Sequence, residues 1–386
     1  MSRARSLGIL WALEALLDDD SSEEQAEMTA IRFALYGDQS DGNVQITGAV
    51  SLSRDMHYGT LSFGPSGALD PNGAVIRCDT LDLRGAPAGA IATAGIAGLN
   101  ASGITGASAP SSSTVRPLQG RTLGGVFASG AGVNGGTTTG TAGTTTPAQA
   151  SPCKVSHAGV NGGNAGANNG GAGGAVSPGT TDRYTNLRRL IFDPAVAIVS
   201  TSNSNINGLM MGGRPGSSGG GGAGDGTAGG GSGSGAIGAP PIWIYARRIL
   251  TDALTAAGCI RALGATGGNG GVPAGGNRGG GGPGNGSGGG AVYICTEGVE
   301  GPQVVNAVSA TGGTGGNGGN GTGTGLGANG GTGGPGGVIA IINSLTGAVL
   351  SYVDGADGSA GTAASGATGG TGGSGGSCAA PIGVAA

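Results

Sequence analysis

Residues 311–320 read Thr311-Gly312-Gly313-Thr314-Gly315-Gly316-Asn317-Gly318-Gly319-Asn320. The same grammar returns as Asn329-Gly330-Gly331-Thr332-Gly333-Gly334-Pro335-Gly336-Gly337-Val338, again from Thr368 through Thr371 to Ser377, and in a shorter copy from Thr266 to Val272. A period of three is that of the polyproline II helix, in which every third residue falls on one face. Here that face carries Thr, Asn and Ser, and the other two faces are bare backbone. Bare faces can approach closely and hydrogen-bond from one helix to the next. The stretch therefore points to packed polyglycine II helices, a scaffold rather than an active site.

The composition admits two other readings. Glycine supplies 95 of 386 residues, and charged residues only 10%. Gly/Ser tracts often behave as flexible coil. Collagen needs one Gly per triplet and abundant Pro, whereas these triplets carry two Gly and the chain has only 17 Pro. Ordering glycine costs about 0.5–1 kcal/mol more per residue than ordering alanine, on the order of tens of kcal/mol over this chain, so only dense packing could order it. The strict register of the triplets, and the apolar strands between them, point to order.

The net charge of −4 and the absence of a basic cluster give no nucleic-acid footprint. No apolar run is long enough to span a membrane, so no membrane insertion is expected. Cys78, Cys153, Cys259, Cys295 and Cys378 are odd in number, widely spaced and without a CxxC pair. That disfavours zinc and a dense disulfide framework and fits buried reduced thiols. Residues 1–5 are basic and 7–17 mostly apolar, but Glu14 interrupts the run and Asp18-Asp19-Asp20 stands where a signal peptide would carry small residues. Leu10, Leu13 and Leu17 fit helical spacing, so residues 1–36 are read as a helical docking segment. Its second stretch, helical or extended, runs over residues 21–35 with Glu23, Glu24 and Glu27 near its start.

From residue 37 the pattern alternates apolar and polar, as half-buried strands do: Val44 to Thr47, Val50 to Ser53, Tyr58 to Phe63, Val75 to Cys78 and Thr80 to Arg84. Asp70-Pro71-Asn72-Gly73 is a turn, because Pro presets φ and Asn-Gly accepts positive φ. Residues 37–91 are read as a small β-domain and 92–240 as a glycine-rich region with short strands, its order in 92–180 left open. Within it, residues 184–199 hold enough apolar side chains for a local core. Residues 241–386 repeat: Pro241 to Ala246 leads into Ala265-Thr266, Ala291 to Cys295 into Ala310-Thr311, and Val338 to Ile342 into Ala367-Thr368. The period of roughly 48 residues indicates stacked units, each a strand, a second strand and a glycine arm. The fold class is mainly β, with a short N-terminal helix, a small β-unit, and stacked strand repeats carrying packed polyglycine II helices.

Reactive groups are sparse. His57 and His157 lie far apart in sequence, and His57 reads as a surface residue. Asp354 and Asp357 beside glycines read as turn residues rather than the carboxylate pair of a glycosidase. Gly222-Ala223-Gly224-Asp225-Gly226 resembles a calcium-binding nonapeptide, but only one imperfect copy is present. No catalytic residue, cofactor or metal is expected. Binding remains: the triplet face with Thr311, Thr314, Asn317, Asn320, Thr332, Thr368 and Thr371, and the loops, of which residues 181–189 and 297–303 stand out as connections or contact segments.

The segments Asp41 to Gly48, Leu52 to Tyr58, Ala68 to Gly73, Thr80 to Leu83 and Ala86 to Ile91, in that order, resemble the opening of glycine-rich virion proteins of tailed bacteriophages, the tail-fibre and receptor-binding adhesin family. Ala74 departs from the aromatic residue that many relatives carry after the Asn-Gly turn. The remainder is similar in style to phage tail-tip adhesins whose glycine arms form a polyglycine II sandwich with receptor-contacting loops at its tip. The resemblance implies a non-enzymatic structural protein of the virion, docked on other virion proteins through its N-terminal segment. It also implies contact with host polysaccharide or an outer-surface protein, and assembly as a homo-oligomer such as a trimer. A bacterial cell-surface protein similar to the glycine-rich PGRS proteins is one alternative, and a β-helical polysaccharide depolymerase another.

Overall fold

The computed structural model of the chain describes residues 22–110, 129–144, 159–175, 213, 215–302, 307–346, 349–354, 359 and 362. Among these the protein is mainly β, with two sheets of parallel strands and one short helix. Helix α1 (Ser22–Tyr36) is followed by β1 (Gly42–Ile46), β2 (Ala49–Ser51), β3 (Met56–Phe63), β4 (Ala68–Asp70), β5 (Val75–Asp82) and β6 (Ile91–Ala94). Then come β7 (Ile242–Leu250), β8 (Ile260–Leu263), β9 (Val292–Thr296), β10 (Gly298–Glu300), β11 (Val308–Ser309), β12 (Val338–Asn343) and β13 (Val349–Asp354). One sheet has the order β1-β3-β5-β7-β9-β12-β13, with β10 beside β7, and the other β11-β8-β6-β4-β2. From β1 to β9 successive strands thus alternate between sheets, while β10 and β13 stay in the sheet of the strand before them. Every pairing is parallel except β12 with β13.

The sequence explains this winding. A strand with one face toward a partner sheet alternates apolar and polar residues, and each returning turn stacks like residues in register. Ile76 pairs with Ile244, Ile244 with Ile294, and Ile294 with Ile341. In the second sheet Leu69 pairs with Ile91, Ile91 with Ile260, and Ile260 with Val308. All of these side chains belong to one buried cluster between the sheets. Burying each large aliphatic side chain contributes about 1.5–3 kcal/mol. β5, from the segment that opens the chain's β-structure, pairs along its length with β7, although the long glycine-rich segment separates them in sequence.

The Asn72-Gly73 turn has the expected left-handed backbone, φ 49° and 82°, closed by the Ala74 N–H donating to the Pro71 carbonyl at 2.8 Å. Ala74 itself is buried. α1 lies against β5 and β7. It ends at Gly37, whose φ of 85° lets its N–H return to the Phe33 carbonyl at 2.9 Å. Arg32 grips Glu297 with two hydrogen bonds, at 3.0 and 3.2 Å, and the buried Tyr36 hydroxyl bonds Ser344. Leu10, Leu13 and Leu17 lie outside the described residues.

β5 and β7 share a local break in alternation: Cys78 and Leu81 both point inward, as do Ala246 and Ile249, so Asp79 and Arg247 meet on the outer side. Their ion pair includes a 2.9 Å contact from Nη2, and the Arg247 hydrogen bonds hold the Asp79 carboxyl below its ordinary pKa. A depressed folded pKa stabilises the protein above the unfolded value, about 3.9 for Asp, and that stability is lost as pH falls through the folded value. Asp79→Asn is therefore expected to cost about 1–2 kcal/mol at neutral pH, in urea melts, and to lessen the loss of stability below about pH 4. Equal stability of the two proteins at neutral pH would contradict this.

The three described cysteines, Cys78, Cys259 and Cys295, are buried free thiols. Burial raises the pKa of each, that of Cys259 to about 11, so they are protonated and inert.

Candidate functional site: the glycine arms and their turns

Three segments leave the second sheet and return to the first: residues 95–241 between β6 and β7, 264–291 between β8 and β9, and 310–337 between β11 and β12. Their hydrogen bonds follow the triplet period. In residues 279–290, the N–H groups of Gly279, Gly282 and Asn285 donate to the carbonyls of Ala223, Gly220 and Ser217. Those of Gly281, Gly284, Ser287 and Gly290 donate to Gly271, Gly268, Ala265 and Ala262. Those of Gly280, Gly286 and Gly289 donate to Leu326, Thr332 and Pro335. The chain thus offers three faces in rotation, each bonded to a different neighbour. Pro283, which has no N–H to give, occupies the one vacant place in the third series.

Residues 229–239 repeat the arrangement. Gly230, Gly233, Ala236 and Ala239 donate to Gly279, Gly282, Asn285 and Gly288, while Gly231, Ser234 and Ile237 donate to Gly103, Leu99 and Ile96. Both segments are buried throughout. Such closeness requires glycine: a Cβ on Gly281 would fall inside the van der Waals envelope of the Gly231 carbonyl oxygen, and one on Gly233 inside that of Gly268.

Side chains inside the arms complete the backbone bonding. The Oγ of Ser234 accepts the Leu99 N–H at 2.8 Å, and that of Ser287 accepts the Ala265 N–H at 2.8 Å. Buried Asn285 accepts the Thr332 N–H at 3.0 Å and donates to Ser217 Oγ at 2.9 Å. Asn285→Ala strands the Thr332 donor and is expected to cost about 1–3 kcal/mol in denaturant unfolding; a change within a few tenths would show that the donor finds another partner.

Of the residues singled out in the sequence, Thr314, Asn317 and Asn320 are exposed, Thr311 and Thr332 half-buried, and the intervening Gly312, Gly313, Gly315, Gly316 and Gly319 buried. Thr368 and Thr371, like the 181–189 segment, lie outside the described residues. The exposed face is stitched from arm to arm. Asn100 Oδ1 accepts the Asn269 N–H, Asn269 Oδ1 the Asn317 N–H, and Asn317 Oδ1 the Thr362 N–H, at 2.8, 2.8 and 3.0 Å. Thr266 and Thr314 bond hydroxyl to hydroxyl at 2.8 Å. Glu297, in the other candidate segment, is engaged by Arg32.

The turns of the arms gather a second group of side chains. Asp225 accepts the Asn277 N–H at 2.8 Å, Arg278 Nε at 3.2 Å and the Thr227 hydroxyl at 3.1 Å, and these bonds, the Asn277 N–H first, lower its pKa. Thr322 and Arg278 exchange both backbone bonds, at 2.9 and 3.2 Å, and Asn277 Oδ1 accepts the Thr324 N–H at 3.0 Å. The Leu326 N–H reaches the Asn164 carbonyl at 2.8 Å, tying the third arm to the first. Ile104, Val272 and Leu326 stand 43–46% exposed on or next to these turns. Asp225 and Arg278 were not paired by sequence reasoning, since nothing local links residues so far apart. The Asn ladder left only a partial signal, in that Asn269 and Asn317 both stand at the third position of a Gly-Gly triplet.

Among the described residues no group of three or more His, Cys, Asp or Glu could hold a metal ion, and no helix is long and apolar enough to cross a membrane. His57 Nδ1 lies 3.1 Å from Asp38 at the surface. Comparison of the chain with protein-family models, curated proteins and solved structures finds no match.

Proposed function

We propose that the arms are polyglycine II helices and that the protein is a non-enzymatic virion component of a tailed bacteriophage. In this reading it is a tail fibre or spike adhesin that projects its arm turns toward the host cell surface. The observation that carries the reading is the threefold rotation of hydrogen bonds in residues 279–290 and 229–239. It is the bonding expected of helices with three residues per turn packed side by side. At a rise of about 3.1 Å per residue, the outward leg 264–273 carries its turn roughly 30 Å from the sheets. A stiff backbone lattice that holds polar and apolar groups at its far end suits binding at low entropic cost. Other virion proteins would hold the N-terminal segment, and host polysaccharide or an outer-surface protein would meet the turns around Asn277, Arg278, Thr322 and Leu326. Assembly as a homo-oligomer, such as a trimer, belongs to the same reading.

The test is binding of the purified full chain to intact bacterial cells, with and without competing surface polysaccharide. A variant carrying Asn277→Ala, Arg278→Ala and Leu326→Ser serves as comparison, its fold checked by circular dichroism. Binding that the polysaccharide competes away and the folded variant lacks supports an adhesin recognising sugar. Binding by the variant equal to that of the parent chain, or no binding to any cell tested, overturns it.

A further inference from the structure

Asn-Gly is the dipeptide in which the following backbone nitrogen most readily attacks the Asn side chain. The Gly nitrogen bonds to Cγ and loses its proton, Nδ2 departs as ammonia, and water opens the resulting succinimide to aspartate or isoaspartate. The reaction needs the peptide plane between the two residues to rotate and the Gly N–H to leave any acceptor it has.

Most described Asn-Gly pairs in the arms are held at both points. Gly270, Gly286 and Gly318 donate their N–H groups to the Asn317, Thr332 and Thr362 carbonyls at 2.9, 3.0 and 3.1 Å. The side-chain oxygens of Asn269, Asn285 and Asn317 meanwhile accept N–H groups from neighbouring segments. Asn134-Gly135 and Asn161-Gly162 are held likewise, through Gly135 to Ile104 and Gly162 to Gly171, with their side chains accepting from Gly106 and Gly173.

Asn329-Gly330 differs. The carbonyls of Leu326, Thr332 and Pro335 accept from Gly280, Gly286 and Gly289, and the Asn329 carbonyl is the missing member of that series because Pro283 faces it without an N–H. The Gly330 N–H meets no acceptor among the described residues either. Among the described residues neither polar group of that peptide plane has a hydrogen-bond partner, and Asn329 is exposed to the water the second step needs.

We propose that Asn329-Gly330 is a spontaneous modification site, where the protein converts to aspartate or isoaspartate while Asn269, Asn285 and Asn317 persist. Pro283 creates the site from the neighbouring arm. The reaction places a new carboxylate on the return leg of the third arm, near the turn that carries Leu326. This inference rests on arm hydrogen bonding and stands whether or not the turns bind a host.

The experiment incubates the intact full chain in heavy-oxygen water at mildly alkaline pH and maps peptides by mass spectrometry. Heavy oxygen should enter at Asn329 faster than at Asn269, Asn285 or Asn317 by on the order of tenfold or more, because those sites react only after local opening. Urea-unfolded chain should lose the difference. Pro283→Gly, which returns an N–H to the Asn329 carbonyl, should slow Asn329 while leaving the other sites unchanged. Conversion of Asn329 no faster than Asn285 in the folded parent chain would overturn the proposal, as would an unchanged Asn329 rate in folded Pro283→Gly.

Discussion

Gly281→Ala is expected to prevent the arms from packing, with a loss of more than about 4 kcal/mol, in the range reserved for severe lesions. The added methyl would overlap the Gly231 carbonyl oxygen and come too close to the Gly230 oxygen. A side-chain clash can relax by changing rotamer, but here the opposing atom is backbone. It belongs to a segment that is itself bonded to residues 96–103 and 130–136. Moving it breaks bonds in several rows at once, each worth about 0.5–1.5 kcal/mol net. The expected phenotype is a lower denaturation midpoint in urea with enhanced proteolysis inside 213–290. Thr314→Ala, at an exposed triplet position, should stay within about 0.5 kcal/mol of the parent chain. If Gly281→Ala proved as mild as Thr314→Ala, the close packing of the arms would be wrong.

Ile244→Ala is expected to cost about 2–5 kcal/mol through lost burial and an unfilled cavity. Ile244 is 1% exposed and sits in the row running from Ile76 to Ile341, joining the strands that precede the long glycine segment to those that follow it. Its loss should therefore loosen β5 and β9 together, and denaturant unfolding should register a single weakened transition. Ile244→Val, which removes one methylene, should cost about 0.5–1.5 kcal/mol. A cost below that of the valine variant would mean that the two halves of the sheet are not packed as one core.

The triplets told the truth about exposure where one face of an arm meets solvent: Thr314, Asn317 and Asn320 are outside, Thr311 is half-buried, and the glycines between them are mostly inside. Residues 279–290 gave no such pattern to read, because an arm surrounded on all faces needs no polar stripe; it tolerates Asn285 and Ser287 only because both side chains bond neighbouring backbone. The starts of β7, β9 and β12 were legible as apolar runs, whereas β11, only two residues long, is too short to show alternation. The joining of β5 to β7 was not legible at all, since parallel pairing across a long insertion leaves no local mark. The same distance hid Asp225 from Arg278. Helix α1 was readable in extent from its acidic start, but its partners Glu297 and Ser344 come from the bend between β9 and β10 and the turn after β12, late in the chain.

Amide hydrogen exchange of the full chain, resolved to single residues by NMR, tests the central claim most directly: that the glycine arms are ordered by bonds between arms. Protection should extend through residues 229–239 and 279–290 at a level comparable to β5 and β7. In 264–271 it should mark Gly264, Gly267, Gly268, Gly270 and Gly271, which donate to neighbouring arms. Exchange at the rate of unstructured glycine throughout 279–290, with β5 and β7 still protected, would mean that the arms are flexible coil tethered to a folded double sheet.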